Sequence, residues 1–295
     1  MLNHWLGKLG LAIAGLVVLT YLGLCAAIWK WQNTLIFLPG TATTVTPAAR
    51  GLDAEEVWLT VGGDEQERLH GWWLPAAQPA QGTLLLLHGN RGNLEAILGQ
   101  AEIFHQLHFN VFLFSYRGYG HSQGRNFPHE QQVYEDAATA LEYLTTTRGL
   151  DPAEIVVFGH SLGGAIAIDL ATRHPDLAAL IVQSSFTNMA AMVAHDGLYS
   201  QFFPVNLLLH QRFDSLAKLP QLNLPLLFIH GSQDNRIPDQ MSRELYAAAQ
   251  GLKRFYLVPG ADHNNVATVG GAGYQTAIAE FWQQVRDRQV QLAPR

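Results

Sequence analysis

The apolar positions of this chain change pattern along its length. Through residues 9–29 they run without a single charged side chain. A helix of that length spans about 31 Å, which matches a bilayer's hydrocarbon core. Farther on, short apolar runs alternate with mixed stretches. Thr34-Leu35-Ile36-Phe37-Leu38, closed by Pro39-Gly40, predicts a first strand. Residues 56–61 and 68–74 flank a Gly62-Gly63-Asp64 turn signal and predict a hairpin. The runs at 83–87, 111–114, 155–158, 179–183, 225–229 and 254–258 predict further strands, and the unbroken leucines of 84–87 suit a central parallel strand buried on both faces. Helices are predicted at about 93–108 and 131–147, after residue 161, and at about 274–286. Antiparallel strands followed by βα units imply an α/β fold, with a mainly parallel, twisted sheet and helices on both faces. Residues 189–219, rich in Phe, Leu and His, interrupt the alternation where a cap or lid belongs, above the strand ends.

The first apolar stretch sets the domain plan: residues 1–31 as a single-pass membrane anchor helix and 32–295 as one α/β domain containing the cap. Trp5, Tyr21, Trp29 and Trp31 fit an interfacial aromatic belt. A cleaved signal peptide is the main competing reading. Its apolar core would be shorter, about 7–15 residues, and Cys25-Ala26-Ala27 is a poor substitute for an A-x-A site. Leu24 stands where a lipoprotein signal wants a small residue, and a terminal stretch without a polar face argues against a buried core helix. Lys8 and Lys30 balance each other, so the side of the membrane is not readable. Composition narrows the rest. With 48% hydrophobic and 14% charged residues the chain can bury a deep core, and a net charge of −6 without a Lys/Arg cluster excludes a nucleic-acid footprint. A single cysteine, Cys25, excludes an intramolecular disulfide framework.

Chemistry enters at Phe158-Gly159-His160-Ser161-Leu162-Gly163-Gly164, directly behind Ile155-Val156-Val157. This G-x-S-x-G sequence lies between a predicted strand and a predicted helix, the context of a nucleophile elbow. Side chains at 159 and 163 would crowd the neighbouring elements, and the turn presents the Ser161 hydroxyl and the Leu162 amide above the sheet. A serine nucleophile needs a base, and the base needs an orienting carboxylate, in the chain order Ser, Asp, His. Asp234, in Ile229-His230-Gly231-Ser232-Gln233-Asp234, and His263, in Leu257-Val258-Pro259-Gly260-Ala261-Asp262-His263, each sit in a loop after a predicted strand. Asp214 and Asp239 are alternative carboxylates, although Asp239 follows Pro238 and resembles a helix start. Asp262 is read as a capping or solvated residue. His88, His160, His195, His210 and His230 compete among 13 histidines, but none follows the last strand. The loop His88-Gly89-Asn90 supplies a second oxyanion donor, the Asn90 amide, with Gly89 allowing close approach and His88 bracing the loop. The scheme requires no metal and no cofactor.

Assembled, these residues resemble the α/β-hydrolase superfamily from about Thr34 to the C-terminus. Ser115-Tyr116-Arg117-Gly118-Tyr119-Gly120-His121-Ser122-Gln123-Gly124 resembles the Y-R-G-Y-G-x-S-x-G loop of its Bem46-like subgroup, which includes membrane-anchored members. Ser161 at the elbow argues against the dehalogenase and epoxide hydrolase branches, which place Asp there. The site residues and the apolar N-terminal stretch predict a membrane-anchored serine hydrolase, and anchoring beside lipid together with an apolar cap segment points to a lipid-like or small-molecule ester or thioester as substrate. A peptidase of the same fold is one alternative, and it would need an acid such as Asp196 or Asp214 to hold a substrate amine. A binding protein that keeps the fold without turnover is the other.

Overall fold

The computed structural model describes residues 2–41, 45–76, 79–124 and 127–292; three positions of the 41–49 linker, and both extreme ends of the domain plan, lie outside them. The chain begins with helix α1 (Leu2–Ile36). Strand β1 (Leu38–Pro39) follows, then the hairpin β2 (Glu55–Val61) and β3 (Asp64–Leu74). The alternating part comprises β4 (Gly82–Leu87), the short β5 (Arg91–Gly92), α2 (Glu95–Gln106), β6 (Phe109–Phe114), α3 (Glu130–Glu142), β7 (Ile155–His160), α4 (Leu162–Arg173) and β8 (Ala179–Gln183). Four short helices fill the segment expected as a cap: α5 (Met189–Asp196), α6 (Leu198–Phe202), α7 (Val205–Leu208) and α8 (Ser215–Lys218), the last of them tied to α4 through Lys218 and Asp169. The chain closes with β9 (Leu226–Gly231), α9 (Asp239–Ala248), β10 (Lys253–Val258) and α10 (Val266–Leu292).

Eight strands make one sheet in the order β10-β9-β8-β7-β4-β6-β3-β2, antiparallel only where β3 meets β2 and β6. Leu84, Leu85, Leu86 and Leu87 are fully buried because β4 lies in the middle of the sheet, where both faces are covered. Leu85, Leu87 and Val157 pack with α3, α4 and α9, whereas Leu84, Leu86 and Phe158 pack with α2 and α10. From β4 the chain runs outward to β6 and then crosses back to β7 on β4's other side. The order therefore reverses between β4 and β7, and an open α/β sheet binds its ligands at the carboxyl ends beside such a reversal.

Two expectations need correction. Thr34-Leu35-Ile36 finish α1 instead of starting a strand; Phe37 N–H still donates to Asn33 O (2.8 Å), and only Leu38–Pro39 pair with Arg91–Gly92. A helix already nucleated extends at little cost, which overrides the β-preference of a short apolar run. The domain boundary after residue 31 consequently falls inside a helix. The last helix, predicted at about 274–286, is preceded by a further helical segment that starts at Val266. A Cβ at Gly270 would stand 3.4 Å from Val258 Cγ1, which places this part of α10 against β10. The helix kinks at Gly271 (φ 47°).

Arg117, 4% exposed, joins the loop after β6 to α3. Its Nε donates to Asp136 Oδ1 (2.7 Å), its main-chain N–H to Asp136 Oδ2 (2.9 Å), and its Nη2 to Glu135 and to Gln132 O. Asp136 is completely buried. Removing the cation strands that charge, so Arg117→Met is expected to cost about 3–5 kcal/mol in urea denaturation, with part recovered when Asp136→Leu is added. A loss under about 1 kcal/mol would contradict this pairing.

Candidate active site

Ser161 alone makes the turn from β7 to α4, with φ 56° and ψ −120°. An L-residue is strained there and persists only when its surroundings over-determine it. Ser161 N–H donates to Gln183 O (2.9 Å), and Ser185 Oγ–H donates to Ser161 O (2.9 Å). The flanking glycines make room for the turn. A Cβ at Gly159 would lie 2.2 Å from Gly163 O, one at Gly163 would lie 2.3 Å from Leu87 O, and one at Gly164 would lie 2.6 Å from Ser185 Cβ.

Asp234 follows β9, and His263 follows β10 at the neighbouring sheet position. Their loops touch because Gly231 has no side chain: a Cβ there would stand 2.4 Å from Ala261 O. Gln233 N–H donates to the same oxygen (2.8 Å). His263 Nδ1–H then donates to Asp234 Oδ2 (2.7 Å), which leaves Nε2 to accept from Ser161 Oγ–H (3.1 Å). Asp234 Oδ1 accepts from the main-chain N–H groups of Arg236 and Ile237, both at 2.9 Å. Burial pushes the Asp234 carboxyl up, but the hydrogen bonds from His230 and His263 outweigh it and hold the group well below the usual carboxylate range. His230 is a partner that sequence reasoning placed only among competing histidines. It is fully buried, its Nε2 lies 2.8 Å from Ile237 O and 3.2 Å from Asp234 Oδ2, and its Nδ1 lies 2.6 Å from Ser242 Oγ. A histidine inside an otherwise apolar strand was the available signal.

The other candidate acids sit elsewhere. Asp214 Oδ1 accepts from Ala217 N–H at the start of α8, Asp239 opens α9 and pairs with Arg243, and Asp262 Oδ1 accepts from the N–H groups of Asn264 and Asn265. His160 packs its ring against His263 and lies 3.0 Å from the His263 carbonyl. His195 is exposed on the cap, and His210 contacts α1.

The register pairs Leu87 of β4 with Gly159 of β7, so the residues two positions on, Gly89 and Ser161, lie side by side. A Cβ on Gly89 would only touch Ser161 Cβ, at 3.4 Å. Among the described residues no hydrogen bond engages the amides of Asn90 or Leu162. His88 Nδ1–H donates to Gly89 O (2.7 Å), and Nε2 accepts from Tyr116 N–H (3.3 Å), a neutral tautomer that braces the loop. Tyr116 Oη–H donates to His88 O (3.0 Å) and Tyr119 Oη–H to Asn90 O (2.8 Å). The Tyr116-Arg117-Gly118-Tyr119-Gly120 loop therefore clamps the segment beside Ser161, a role its glycine-rich composition does not reveal.

Two cavities meet at Ser161, Asn90 and His263. The larger, about 510 Å³, lies under the cap and is walled by apolar side chains including Met192, Val193 and Phe203. The smaller, about 460 Å³, reaches the other way toward Gln100, Gln183 and Thr268. Burial pulls the His88 imidazole down to about 4, and burial with the neighbouring His263 does the same to His160. An unfolded imidazole takes up its proton near pH 6.5, so these two groups stabilise the fold fully above that value and lose the contribution as pH falls toward about 4. The urea midpoint is expected to drop between about pH 7 and about pH 5, and to drop less when His88→Gln and His160→Gln are combined. Equal drops would show that these rings are not held neutral.

Comparison with known proteins agrees with this architecture. A family model described as serine aminopeptidase, S33, matches residues 78–217. The chain is 34% identical to an uncharacterized protein of Mycobacterium tuberculosis over 92% of this chain and 94% of that one. It is 31% identical to protein bem46 of Schizosaccharomyces pombe over 86% of each. The Pyrococcus furiosus esterase Pf2001 superposes with a TM-score of 0.69 at 19% identity, covering 84% of this chain and 99% of that one, which shows a shared fold. With the sheet order, the serine elbow and relatives that match over most of their length in agreement, the chain belongs to the Bem46-like branch of the α/β hydrolases.

Proposed function

We propose that this protein is a membrane-anchored serine hydrolase that cleaves an ester or thioester through an acyl-enzyme. The observation that carries the reading is the continuous line from Asp234 through His263 to Ser161, ending where the apolar cavity begins. Ser161 Oγ attacks the acyl carbonyl while His263 Nε2 takes its proton. Asp234 holds the Nδ1–H tautomer and stabilises the imidazolium that forms. The amides of Asn90 and Leu162 stabilise the tetrahedral oxyanion, each donor being worth about 10²–10³ in rate. His263 then returns the proton to the departing oxygen or sulfur, and water, activated by the same imidazole, releases the acid and restores Ser161.

Anchoring is supported by α1, which is long and apolar enough to cross a membrane. Cleavage after Ala27, as a signal sequence would require, would remove the buried Cys25 from a helix that continues to Ile36. A peptidase reading draws support from Asp196, an acid on the cavity wall, whereas Asp214 is occupied at α8. Turnover of aminoacyl p-nitroanilides that falls in Asp196→Asn, with p-nitrophenyl esters untouched, would favour it. A binding-only protein would have no reason to keep the hydrogen-bonded line intact.

Ser161→Ala is expected to abolish labelling by a fluorophosphonate probe and to lower ester turnover by about a millionfold, with an unchanged thermal unfolding curve. Undiminished turnover would overturn the scheme, and well-folded wild type that resists labelling would bring the binding-protein reading forward.

A further inference from the structure

Helix α1 does not end as a detached tether. Ile28, Gln32, Leu35 and Ile36, which share one helical face, line the larger cavity together with Ser161 and His263. Gln32, 3% exposed, fixes that face to the cap. Its Oε1 accepts from the N–H groups of His210 (3.0 Å) and Gln211 (3.1 Å), and its Nε2 donates to Leu208 O (3.1 Å). A polar side chain buried with its hydrogen bonds satisfied specifies one arrangement, because any sliding of the helix would strand it.

The contact continues into the apolar part of the helix. Tyr21 Oη–H donates to Phe202 O (3.1 Å), and its ring stacks on Phe203, with centroids 5.8 Å apart. Tyr21 lies nine residues before Lys30, the first charge after the apolar stretch (30 − 21). At the rise of a helix this is about 13 Å farther toward the bilayer centre. If α1 crosses the membrane, this corner of the cap sits at the depth of acyl chains. The cap's outer face fits such a setting: Leu198, Phe202 and Leu207 are exposed, Leu207 at 83%. An exposed apolar patch beside an apolar helix marks a surface that water does not normally cover.

We propose that the larger cavity is a channel for the acyl chain of a bilayer amphiphile, entered from the membrane, with Ile28 and Leu35 of α1 forming the wall that sets chain length. This rests on the serine-hydrolase reading of the same site. The ester or thioester carbonyl would lie at Ser161 with its chain between α1 and the cap. The polar leaving group would extend into the smaller cavity beside Gln100 and Gln183.

The test uses the full chain in phosphatidylcholine vesicles. A fluorophosphonate with a palmityl-length tail carrying a terminal diazirine is reacted with Ser161, photolysed and mapped by peptide mass. Crosslinks to residues 25–36 and to the cap are expected; crosslinks confined to residues 96–103 or 264–268 would overturn the assignment. As an independent measurement, Ile28→Trp is expected to lower the ratio of kcat/KM for p-nitrophenyl palmitate over p-nitrophenyl butyrate by about tenfold or more, and Ile28→Ala is expected not to lower it. An unchanged ratio, or equal loss on both esters in Ile28→Trp, would show that α1 does not bound the chain. A small fluorophosphonate monitors Ser161 in every sample. Failure of wild type to label would instead count against the hydrolase reading itself.

Discussion

A backbone contact that only glycine permits sets the geometry of the site. Gly163 passes so close to Leu87 that a methyl group there would overlap the carbonyl oxygen, and Gly159 stands in the same relation to Gly163. These approaches draw the start of α4 down onto the ends of β4 and β7. Ser161 is thereby forced into its positive-φ turn, and its hydroxyl projects above the sheet. The strain is local, but the restraint comes from three strands: Gln183 on β8, Leu87 on β4 and β7 itself. A large buried sheet holds one serine in a conformation that it would not keep alone.

Around that turn the molecule invests its buried polar groups in keeping loops still. His88, Tyr116 and Tyr119 fix the segment containing Gly89 and Asn90, while Arg117 ties the same tyrosine loop to Asp136 on α3. On the other side, Ser242 and His230 support Asp234, which in turn orients His263. Each network is satisfied internally, as a low-dielectric interior demands of polar groups it retains. In the reaction proposed above, donors already held in place would need no reorganisation as charge develops.

The junction of α1 with the cap divides the helix into two environments. Residues of the helix before Tyr21 present apolar side chains outward, whereas Cys25 and Gln32 are buried against protein. The same helix thus serves as apolar surface at one end and as cavity wall at the other, and the position of Gln32 fixes where one role gives way to the other.

What the sequence determined by itself was short-range. Ile155-Val156-Val157, the elbow and the following helix were legible because strand, turn and helix signals lie within a few residues of one another. The buried leucines of β4 and the hairpin before them were legible for the same reason. The chain-order rule was enough to single out Asp234 and His263, but their meeting depends on Gly231 lying against Ala261, a contact across two strands that no local pattern encodes. His230 and Ser242, twelve residues apart, could not be read as partners without that packing. Thr34-Leu35-Ile36 went against their local propensity because a preformed helix outweighed it, whereas Gly271 followed its own and interrupts the helical geometry of α10. Only the tertiary structure decided that an apolar N-terminal helix walls the cavity beside Ser161, since burial of Gln32 depends on a cap some 175 residues farther along the chain (208 − 32 = 176).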